Sequence, residues 1–283
     1  MVSHSKIIND PIHGHIQLDS ILIKIIDTPQ FQRLRDIKQL GCTYRVFPGA
    51  SHNRFEHAIG ACHLAGELVE VIRNLQTDVY TGNMPIVTPV DALCVKIAAL
   101  CYNLGYGPFS HVFDEMCAEK ISGWSEKKAF LRKVVRDPET SIDAVTMDSI
   151  ARDSYLLNIP SSFDHKRLVK FVRLNKKRGS EEYVLCYREI EAHDLYSMFL
   201  SRLSLQTKAY KHKTVQLLEW MLRQALEKAD EVLELTETAR GLLSDEEAVR
   251  KAAAVKYTRL TDYVMDRIME SGEPSLRDCM HRS

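Results

Sequence analysis

Residues 92–104 form an almost entirely apolar run that stops at Gly105. Thr88, Pro89 and Asp91 precede the run in the arrangement of a capping box, which starts a helix. Because a helix that is apolar on nearly all sides is normally buried, the run predicts a helix at the centre of a domain. A chain built around such a helix is expected to be mainly α.

Other segments carry helical periodicity or turn signals. Helices are predicted at residues 21–26, 29–40, 54–75, 129–135, 142–157, 191–211, 213–235 and 245–270. Thr28 and Pro29 supply the cap and first position of the second of these. We also predict a hairpin or loop before residue 27, a loop at 118–128 and a strand at 182–187. The 283 residues, 45% of them hydrophobic, suffice for one mainly α domain with minor short β elements.

The charge and cysteine content exclude several classes of protein. With 38 basic and 38 acidic residues, the chain is not built as a polycation for nucleic acid. No apolar run approaches the length that a membrane span needs, roughly 18 residues. The first six residues lack the core of a secretory signal. The seven scattered cysteines include no CxxC pair and are expected to be reduced. We therefore expect a protein of the nucleus or cytoplasm, neither secreted nor in a membrane.

Two strings of residues have the composition of a functional site. The first is SHNRFEH at residues 51–57, and the second is CYNLGYGPFSH at residues 101–111. The glycine-rich corner in the second string predicts a close approach of the backbone to a helix or a ligand. His57 begins one helix, while Tyr102 and Asn103 end another, so a site can form between two helix ends. By itself, His57 is more readily interpreted as a hydrogen-bonded core histidine.

Residues 6–15, 27–35, 37–41 and 46–57 closely resemble the HD domain of the deoxynucleoside triphosphate (dNTP) triphosphohydrolases, in particular the vertebrate members that also carry a SAM domain. The match continues at residues 105–111, 151–153, 163–167 and 209–213. This resemblance covers nearly the whole chain and implies one HD-domain helical fold over residues 1–283. It also implies an internal shortening after residue 111, a missing C-terminal lobe and no SAM domain.

The resemblance also implies a damaged metal site. Family members hold a divalent metal with a histidine, a His-Asp pair and a distant aspartate, and they release triphosphate from a dNTP. His57 matches the first ligand, but Tyr102, Asn103 and Val145 stand at the other three positions. A phenol is neutral at pH 7, an amide has no charge and valine offers no donor. We therefore expect a pseudoenzyme with no tightly bound cofactor, in which His111, a retained active-site histidine, is vestigial.

Residues that match nucleotide contacts of the family are mostly retained, although Tyr106 replaces a further active-site histidine. The residues matched to contacts with the substrate's sugar and phosphates are Gln39, Leu40, Arg54, Asp153, Arg202 and Tyr210. The residues matched to the guanine-reading triad of the activating site are Asp27, Gln32 and Arg35. The residues matched to the rest of the two adjoining allosteric pockets are Lys6, Asn9, Val46, Arg167, Arg188, His212 and Lys213. An aspartate accepts hydrogen bonds from the guanine N1/N2 edge, while arginine and glutamine reach its acceptors. Without the resemblance, the triad would be interpreted as a helix cap and a solvated helix face.

Three functions stay open at this point. The first is a pseudoenzyme that binds GTP or a dNTP and pairs with homologous HD-domain subunits. The second is an active triphosphohydrolase whose Fe, Mn, Mg or Zn site is rebuilt by Asn103, Asp143 or Asp148, although helical residues two or three positions from Val145 are expected to point elsewhere. The third is a remnant that binds single-stranded nucleic acid through the basic stretch 166–178, where a solvated face is the simpler interpretation.

Overall fold

The structure, a computed structural model, describes residues 5–78, 87–120, 135, 137, 140–176, 179 and 183–270. The strands are β1 (Lys6–Asp10), β2 (Gly14–Leu18), β3 (Val172–Lys176) and β4 (Tyr183–Tyr187). The helices are α1 (Ser20–Ile26), α2 (Pro29–Gln32), α3 (Arg54–Asp78), α4 (Pro89–Cys101), α5 (His111–Lys120), α6 (Ala144–Leu156), α7 (His165–Lys170), α8 (Ala192–Leu205), α9 (Lys213–Leu233), α10 (Leu235–Gly241), α11 (Glu247–Tyr257) and α12 (Val264–Glu270). The predicted mainly α class with short β elements is confirmed.

The N-terminal hairpin is present as predicted. β1 and β2 pair in antiparallel register from Lys6 opposite Leu18 to Asp10 opposite Gly14. The Asp10 carboxylate closes the turn, since its Oδ1 accepts from the backbone N–H groups of Ile12 and His13 at 2.9 and 3.0 Å. The other oxygen of Asp10 is thereby left facing the protein interior, where it meets Arg152.

The predicted helix at 29–40 starts correctly and ends early. The Thr28 hydroxyl caps α2 by accepting from Phe31 N, as expected, but α2 ends at Gln32 and a 3₁₀ turn follows at Arg33–Asp36. The buried Arg33 side chain donates to the carbonyls of Leu260 and Tyr106 at 2.8 and 2.7 Å. These contacts with distant parts of the chain, which helical periodicity cannot reveal, replace the regular helix.

The central position belongs to α3, whereas α4 was predicted to hold it. α3 packs against α4, α6, α7 and β3, and it contains a row of fully buried small residues. The capping box of Thr88 and Asp91 at the start of α4 is confirmed. However, α4 ends at Cys101, and Cys94 and Val90 on its outer side are exposed. Among the described residues α4 packs mainly against α3, and its outer side is exposed, so the prediction of burial on all sides was wrong.

In the later part of the chain, the predicted elements have the correct type, but three helices that were predicted to be continuous are interrupted. β4 confirms the strand at 182–187, and α6 confirms the helix at 142–157. Each of the single helices predicted at 191–211, 213–235 and 245–270 is interrupted. In the first, a π-helical turn at Gln206–Tyr210 follows α8. In the second, α9 ends before Glu234, which is in the left-handed conformation, and α10 follows; in the third, α11 and α12 are separate helices. Residues 118–120 belong to α5 rather than a loop. The rest of that loop and all but Val135 of the helix at 129–135 lie outside the described residues.

Two hydrophobic clusters hold the molecule together. The larger one surrounds α3 and includes residues of the hairpin, α6, α7 and α8. The smaller one joins α5 to α9, α10, α11 and α12. Within the described ranges, no helix combines the length and the apolar character that crossing a bilayer requires.

Candidate functional site

A cavity of about 390 Å³ lies where α3, α5, α6 and the π-helical turn meet. Eight side chains singled out from the sequence line it: Gln39, Leu40, Arg54, His111, Val145, Asp153, Arg202 and Tyr210. Val145 and Asp153, with Ser149 between them, form one row along α6 at four-residue spacing. The structure therefore brings the residues matched to substrate contacts into a single cavity.

Asp153 and Tyr210 form a hydrogen-bonded pair in the wall of this cavity. The Tyr210 hydroxyl donates to Asp153 Oδ2 at 2.5 Å, and His52 Nε2 contacts Asp153 Oδ1 at 2.7 Å. Burial raises the pKa of Tyr210 well above its usual value, and the charge of Asp153 raises it further. The positive charges of Arg202 and Arg54 lower this pKa, but their effect is smaller. The phenol consequently stays protonated and remains a hydrogen-bond donor. The π-helical turn that ends at Tyr210 aims this side chain at α6.

Arg54, the first residue of α3, is committed to neighbours on two sides. Its Nε donates to Ser110 Oγ at 3.0 Å, and its Nη1 donates to Asn103 Oδ1 at 3.1 Å. The guanidinium also lies 3.7 Å from the centre of the Tyr106 ring. This distance makes a cation–π contact. Among the described residues none accepts from Nη2, so this end of Arg54 stays free for a ligand in the cavity.

The glycine-rich corner is held in an unusual conformation by a residue that sequence reasoning missed. Phe109 and Ser110 both have φ near 54°, in the left-handed region. Asp262 accepts from the backbone N–H groups of Phe109 at 2.6 Å and of Lys38 at 2.8 Å. Burial raises the pKa of Asp262 to about 6 despite these two hydrogen bonds. The predicted close approach is made by Gly107, where an added Cβ would lie 2.0 Å from the Phe113 ring.

On an adjacent face of α6, about 100° around the helix from the cavity row, Asp148 and Arg152 belong to a group of residues that we call the buried acid network: Asp10, His13, His57, Asp148 and Arg152. Asp148 Oδ1 contacts His13 Nε2 and Asp148 Oδ2 contacts His57 Nδ1, both at 2.6 Å. Arg152 donates to both oxygens of Asp148 at 2.9 and 3.0 Å, and to Asp10 Oδ2 at 2.9 Å. The side chains of Asp148 and Arg152 are completely buried.

The network explains the charge states of its members. Burial alone would raise the pKa of Asp148, but the charge of Arg152 and hydrogen bonds from His13 and His57 hold it well below its usual range. Burial lowers the pKa of His57 more than Asp148 raises it. A neutral His57 that donates Nδ1–H to Asp148 presents an unprotonated Nε2, and this buried atom has no hydrogen-bond partner among the described residues. That tautomer is the one in which histidine ligates a metal.

The other donors that a divalent metal would need are already engaged. Asn103 Oδ1 accepts from Arg54, Val145 lines the cavity with methyl groups, and both oxygens of Asp148 are paired within the network. Asp143 caps α6 by accepting from Thr146 N at 2.8 Å. The described part of the chain contains no group of three ligating side chains that could hold a metal. These residues do not fit the metal implied by the family, and Asp148, expected to point elsewhere, in fact contacts His57 directly.

The residues matched to the guanine-reading triad lie together on the surface. Lys6 Nζ is 3.6 Å from the Asp27 carboxylate, and both side chains are mostly exposed. Arg35 Nε donates to Gln32 Oε1 at 2.8 Å, and Gln32 Nε2 donates to the Ile26 carbonyl at 2.7 Å. Arg35 also stacks on Phe55, 3.5 Å from the ring centre. The polar atoms of Gln32 are thus satisfied by the protein, while Asp27 remains accessible, as does Asn9 on β1.

The remaining residues matched to the allosteric pockets occupy two further places. Arg167 and Arg188 lie 5.1 and 5.3 Å from the Phe171 ring centre, and Arg167 is also paired with Glu191 at 2.9 Å. His212 caps α9, and its ring packs edge-on against the Phe47 ring. Val46 directly precedes Phe47 in the chain, and Lys213 directly follows His212. Of the basic stretch 166–178, Arg167 and Arg173 bond to the protein, Lys166 and Lys170 are exposed, and Lys177 and Arg178 lie outside the described residues.

Comparison with known proteins gives one consistent result, although no protein-family model matches the chain. It is 37% identical to the human protein deoxynucleoside triphosphate triphosphohydrolase SAMHD1 over 98% of this chain, and 36% identical to the zebrafish protein of that name over 96%. A mimivirus protein named for its HD domain is 32% identical over 83% of the chain. The chain spans 53% of the human protein, 52% of the zebrafish protein and 60% of the viral one.

Proposed function

Because the chain belongs, over 96–98% of its own length, to the HD-domain family of the SAMHD1 deoxynucleoside triphosphate triphosphohydrolases, we propose that it binds a nucleotide in the cavity described above without hydrolysing it. The observation that carries the proposal is the contrast within α6. Its cavity row keeps Asp153 but has Val145 at the position of a metal-ligating carboxylate. Its completely buried carboxylate, Asp148, is neutralised by Arg152 on the other face.

Nucleotide binding is supported by unsatisfied polar groups in the cavity. Gln39 Oε1 is buried and has no hydrogen-bond partner within the described part of the chain, so a ligand donor there would satisfy it. Arg54 and Arg202 supply positive charge for phosphates, and the Tyr210–Asp153 pair supplies a polar surface suited to a sugar hydroxyl. The cavity volume of about 390 Å³ lies within the range of small-molecule sites.

Loss of hydrolysis is supported by the chemistry of the reaction. A bound metal would polarise the phosphate and prepare the nucleophile. Replacing even the groups that orient a ligand typically costs about 10–100-fold in metal affinity or activity. Here three of four ligand positions hold residues that offer no charge, and the amide oxygen of Asn103 is used by Arg54. We therefore assign His57 and His111 no catalytic role in this chain.

An internal shortening of a single HD domain is part of the same proposal. The match to the zebrafish protein extends over 336 positions, which is more than the 283 residues of this chain. The relative therefore has additional residues within the matched range. The shortening is predicted after the glycine-rich corner, where α5 begins, and α5 packs into the smaller of the two hydrophobic clusters.

The decisive experiment measures triphosphate release and bound metal on one sample. Purified protein is incubated with each dNTP, with GTP present, and with Mg²⁺, Mn²⁺ or Fe²⁺. We expect no triphosphate and no stoichiometric metal, but saturable dNTP binding that is lost in Arg202→Leu. Metal-dependent triphosphate release would establish the alternative of an active enzyme with a rebuilt site.

A variant with restored ligands provides the matched control. In Tyr102→His/Asn103→Asp/Val145→Asp, the four donor positions of the family are complete around the already oriented His57. We expect this variant to retain metal through gel filtration where the natural chain does not. If both proteins retain metal equally, the absence of these ligands is not what distinguishes the chain from its relatives.

Guanine-nucleotide binding on the surface is a second candidate, favoured by the cluster of Lys6, Asp27 and Arg35. GTP binding at this cluster would promote pairing with a homologous HD-domain subunit, because the exposed side chains leave room for a second chain. GTP titration with sedimentation analysis tests this. We expect Asp27→Asn to abolish the GTP response and Asp266→Asn, at another exposed aspartate, to preserve it. A response that is the same in both variants would remove the cluster from consideration.

A further inference from the structure

The cavity has two electrostatically different ends. At one end, Arg54, Arg202 and Asp153 are close enough to act on the titration of Tyr210. At the other end stand two carboxylates, Glu115 on α5 and Glu219 on α9. Glu115 follows His111 by one helical turn and therefore faces the same side of α5.

The two carboxylates lie at the inner end of a seam of charges between α5 and α9. Further along this seam each acid meets a cation: Lys120 pairs with Asp230 at 2.8 Å, and Arg223 pairs with Glu119 and with Glu227. One turn closer to the cavity the positions of Glu119 and Arg223 are taken by Glu115 and Glu219. Among the described residues neither of these glutamates has an ion-pair partner.

We propose that Glu115 and Glu219 are specificity-determining residues that repel the phosphate chain when both are ionised and admit it when one of them is protonated. The inference rests on the proposed nucleotide binding and adds a regulation to it. In both states the ligand's phosphates are directed to the Arg54 and Arg202 end. An uncharged base or sugar, which can donate hydrogen bonds to carboxylates, is directed to the glutamate end.

The surroundings of Glu219 favour its protonated form near neutral pH. Burial raises the pKa of Glu219 to about 7, and the charge of Glu115 raises it further. Cys42, next to the pair, stays a neutral thiol because burial raises its pKa to about 12, with Glu219 contributing. The other charged or titratable groups around the cavity are His111 on α5, Arg45 and Asp262 beyond Cys42, Lys211 after the π-helical turn, Arg202 on α8 and Asp153 on α6.

The sign of the pH effect follows from this arrangement. Because the pKa of Glu219 is raised to about 7, Glu219 loses its proton and gains a negative charge as the pH rises through 7. An added charge at roughly 8–10 Å from a phosphate, in a partly solvated cavity, changes affinity by about five- to tenfold. Phosphate-containing ligands should therefore bind more weakly at pH 8 than at pH 6.

The test compares inorganic tripolyphosphate with dGTP by calorimetry at pH 6, 7 and 8. It uses the full chain, Glu219→Gln, Glu115→Gln and the control Glu231→Gln, an exposed glutamate on the same helix α9. The ligand's own protonation is common to all four proteins and cancels in the comparison. We expect the natural chain and Glu231→Gln to lose about five- to tenfold more affinity between pH 6 and pH 8 than the two cavity variants.

The outcomes separate this inference from the proposed function. If the ligands bind with the same pH dependence in the natural chain and in both cavity variants, the acid pair does not set specificity and only this inference fails. If neither ligand binds any of the four proteins at pH 6, the proposed nucleotide binding fails and takes this inference with it. A larger loss for tripolyphosphate than for dGTP would support the assignment of the base or sugar to the glutamate end.

Discussion

Two polar regions on adjacent faces of α6 differ in what their charges are used for. In the buried acid network, Asp148 and Arg152 are spaced four residues apart and are satisfied by each other and by the N-terminal hairpin. In the cavity row, Val145, Ser149 and Asp153 face open space. The first region stabilises the fold and leaves only His57 Nε2 for a ligand, whereas the second keeps groups that a ligand can reach.

The comparison teaches that a charged residue near a former catalytic position is no evidence of function by itself. Asp148 contacts the one remaining metal-type histidine, yet four hydrogen bonds from three partners hold it in place. Asp153 also accepts hydrogen bonds, but its partner Tyr210 is part of the cavity surface. Where the hydrogen-bond partners lie, rather than residue type, distinguishes the structural carboxylate from the candidate binding carboxylate.

The largest expected effect comes from removing the cation of the network. Arg152→Leu leaves the buried carboxylates of Asp148 and Asp10 without their common partner, and breaking such a pair costs about 4 kcal/mol. Arg202→Leu, at a half-buried arginine of the cavity, should cost less than about 1 kcal/mol while weakening nucleotide binding. Urea denaturation of both variants measures the free energies of unfolding. Equal losses would mean that the two regions do not differ as described.

A smaller loss is expected from adding a methyl group between α3 and α6. A Cβ at Gly60 would lie 2.0 Å from Asp148 Oδ1 and 2.5 Å from Arg152 Nη2. Gly60→Ala should therefore lower stability by about 3 kcal/mol. At Gly66, also on α3, the added Cβ meets only the flexible Lys96 side chain at 2.9 Å. Gly66→Ala should be neutral or stabilise by up to about 1 kcal/mol. Thermal unfolding of these two variants tests whether the buried acid network is tightly packed. A Gly60→Ala variant as stable as the natural chain would refute tight packing.

On the cavity side, the matching change is Tyr210→Phe. It removes the hydroxyl that donates to Asp153. A hydrogen bond to a charged group is worth about 2 kcal/mol. Because His52 still contacts Asp153, the loss should stay below that of Arg152→Leu. Nucleotide affinity should fall in the same variant. Tyr155→Phe, at an exposed tyrosine, serves as the control, and unchanged affinity in Tyr210→Phe would exclude the hydroxyl from the site.

The smallest effect concerns pH and a carboxylate that differs from Asp148. The hydrogen bonds that the Asp262 carboxylate accepts from the described residues come from two backbone N–H groups, and burial raises its pKa from 3.8 to about 6. A raised folded-state pKa means that the stabilisation is fully present below about pH 4 and is lost as the pH rises through about 6. The stability of the natural chain relative to Asp262→Asn should therefore fall by about 1 to 2 kcal/mol between pH 4 and pH 6. Denaturant titrations at several pH values measure it, and a rise instead of a fall would show that the two N–H groups outweigh burial.

Local signals in the sequence predicted the helix starts well. Thr28 with Pro29 and Thr88 with Asp91 cap the helices that they were expected to cap. The failures arose from contacts between distant residues. Arg33 ends a helix early by bonding to Leu260, 227 residues away, and Asp262 ties down Lys38 from a distance of 224 residues. Helical periodicity within a short window has no information about such partners.

The candidate site was predicted by matching residues to the motifs of a family rather than from the spacing of residues in this sequence. Matching residues to a family placed Gln39, Arg54, Asp153, Arg202 and Tyr210 in one set, and the structure gathers them in one cavity. The buried acid network was missed, although the four-residue spacing of Asp148 and Arg152 was a visible signal of an ion pair. Glu115 and Glu219 were also missed, because nothing local marks two glutamates on different helices as neighbours.

The π-helical turn at Gln206–Tyr210 carries one residue more than an α-helix would use for the same advance. Each residue turns an α-helix by about 100°, so the extra residue shifts the phase of everything after it. Deleting Thr207 or Lys208, neither of which lines the cavity, would let α8 continue as a regular helix. It would also rotate the phenol of Tyr210 by about a quarter turn, away from Asp153. The cavity thus depends on a count of residues as well as on their identity, and an engineer who shortens or lengthens this turn would reorient the site without touching a single side chain in it.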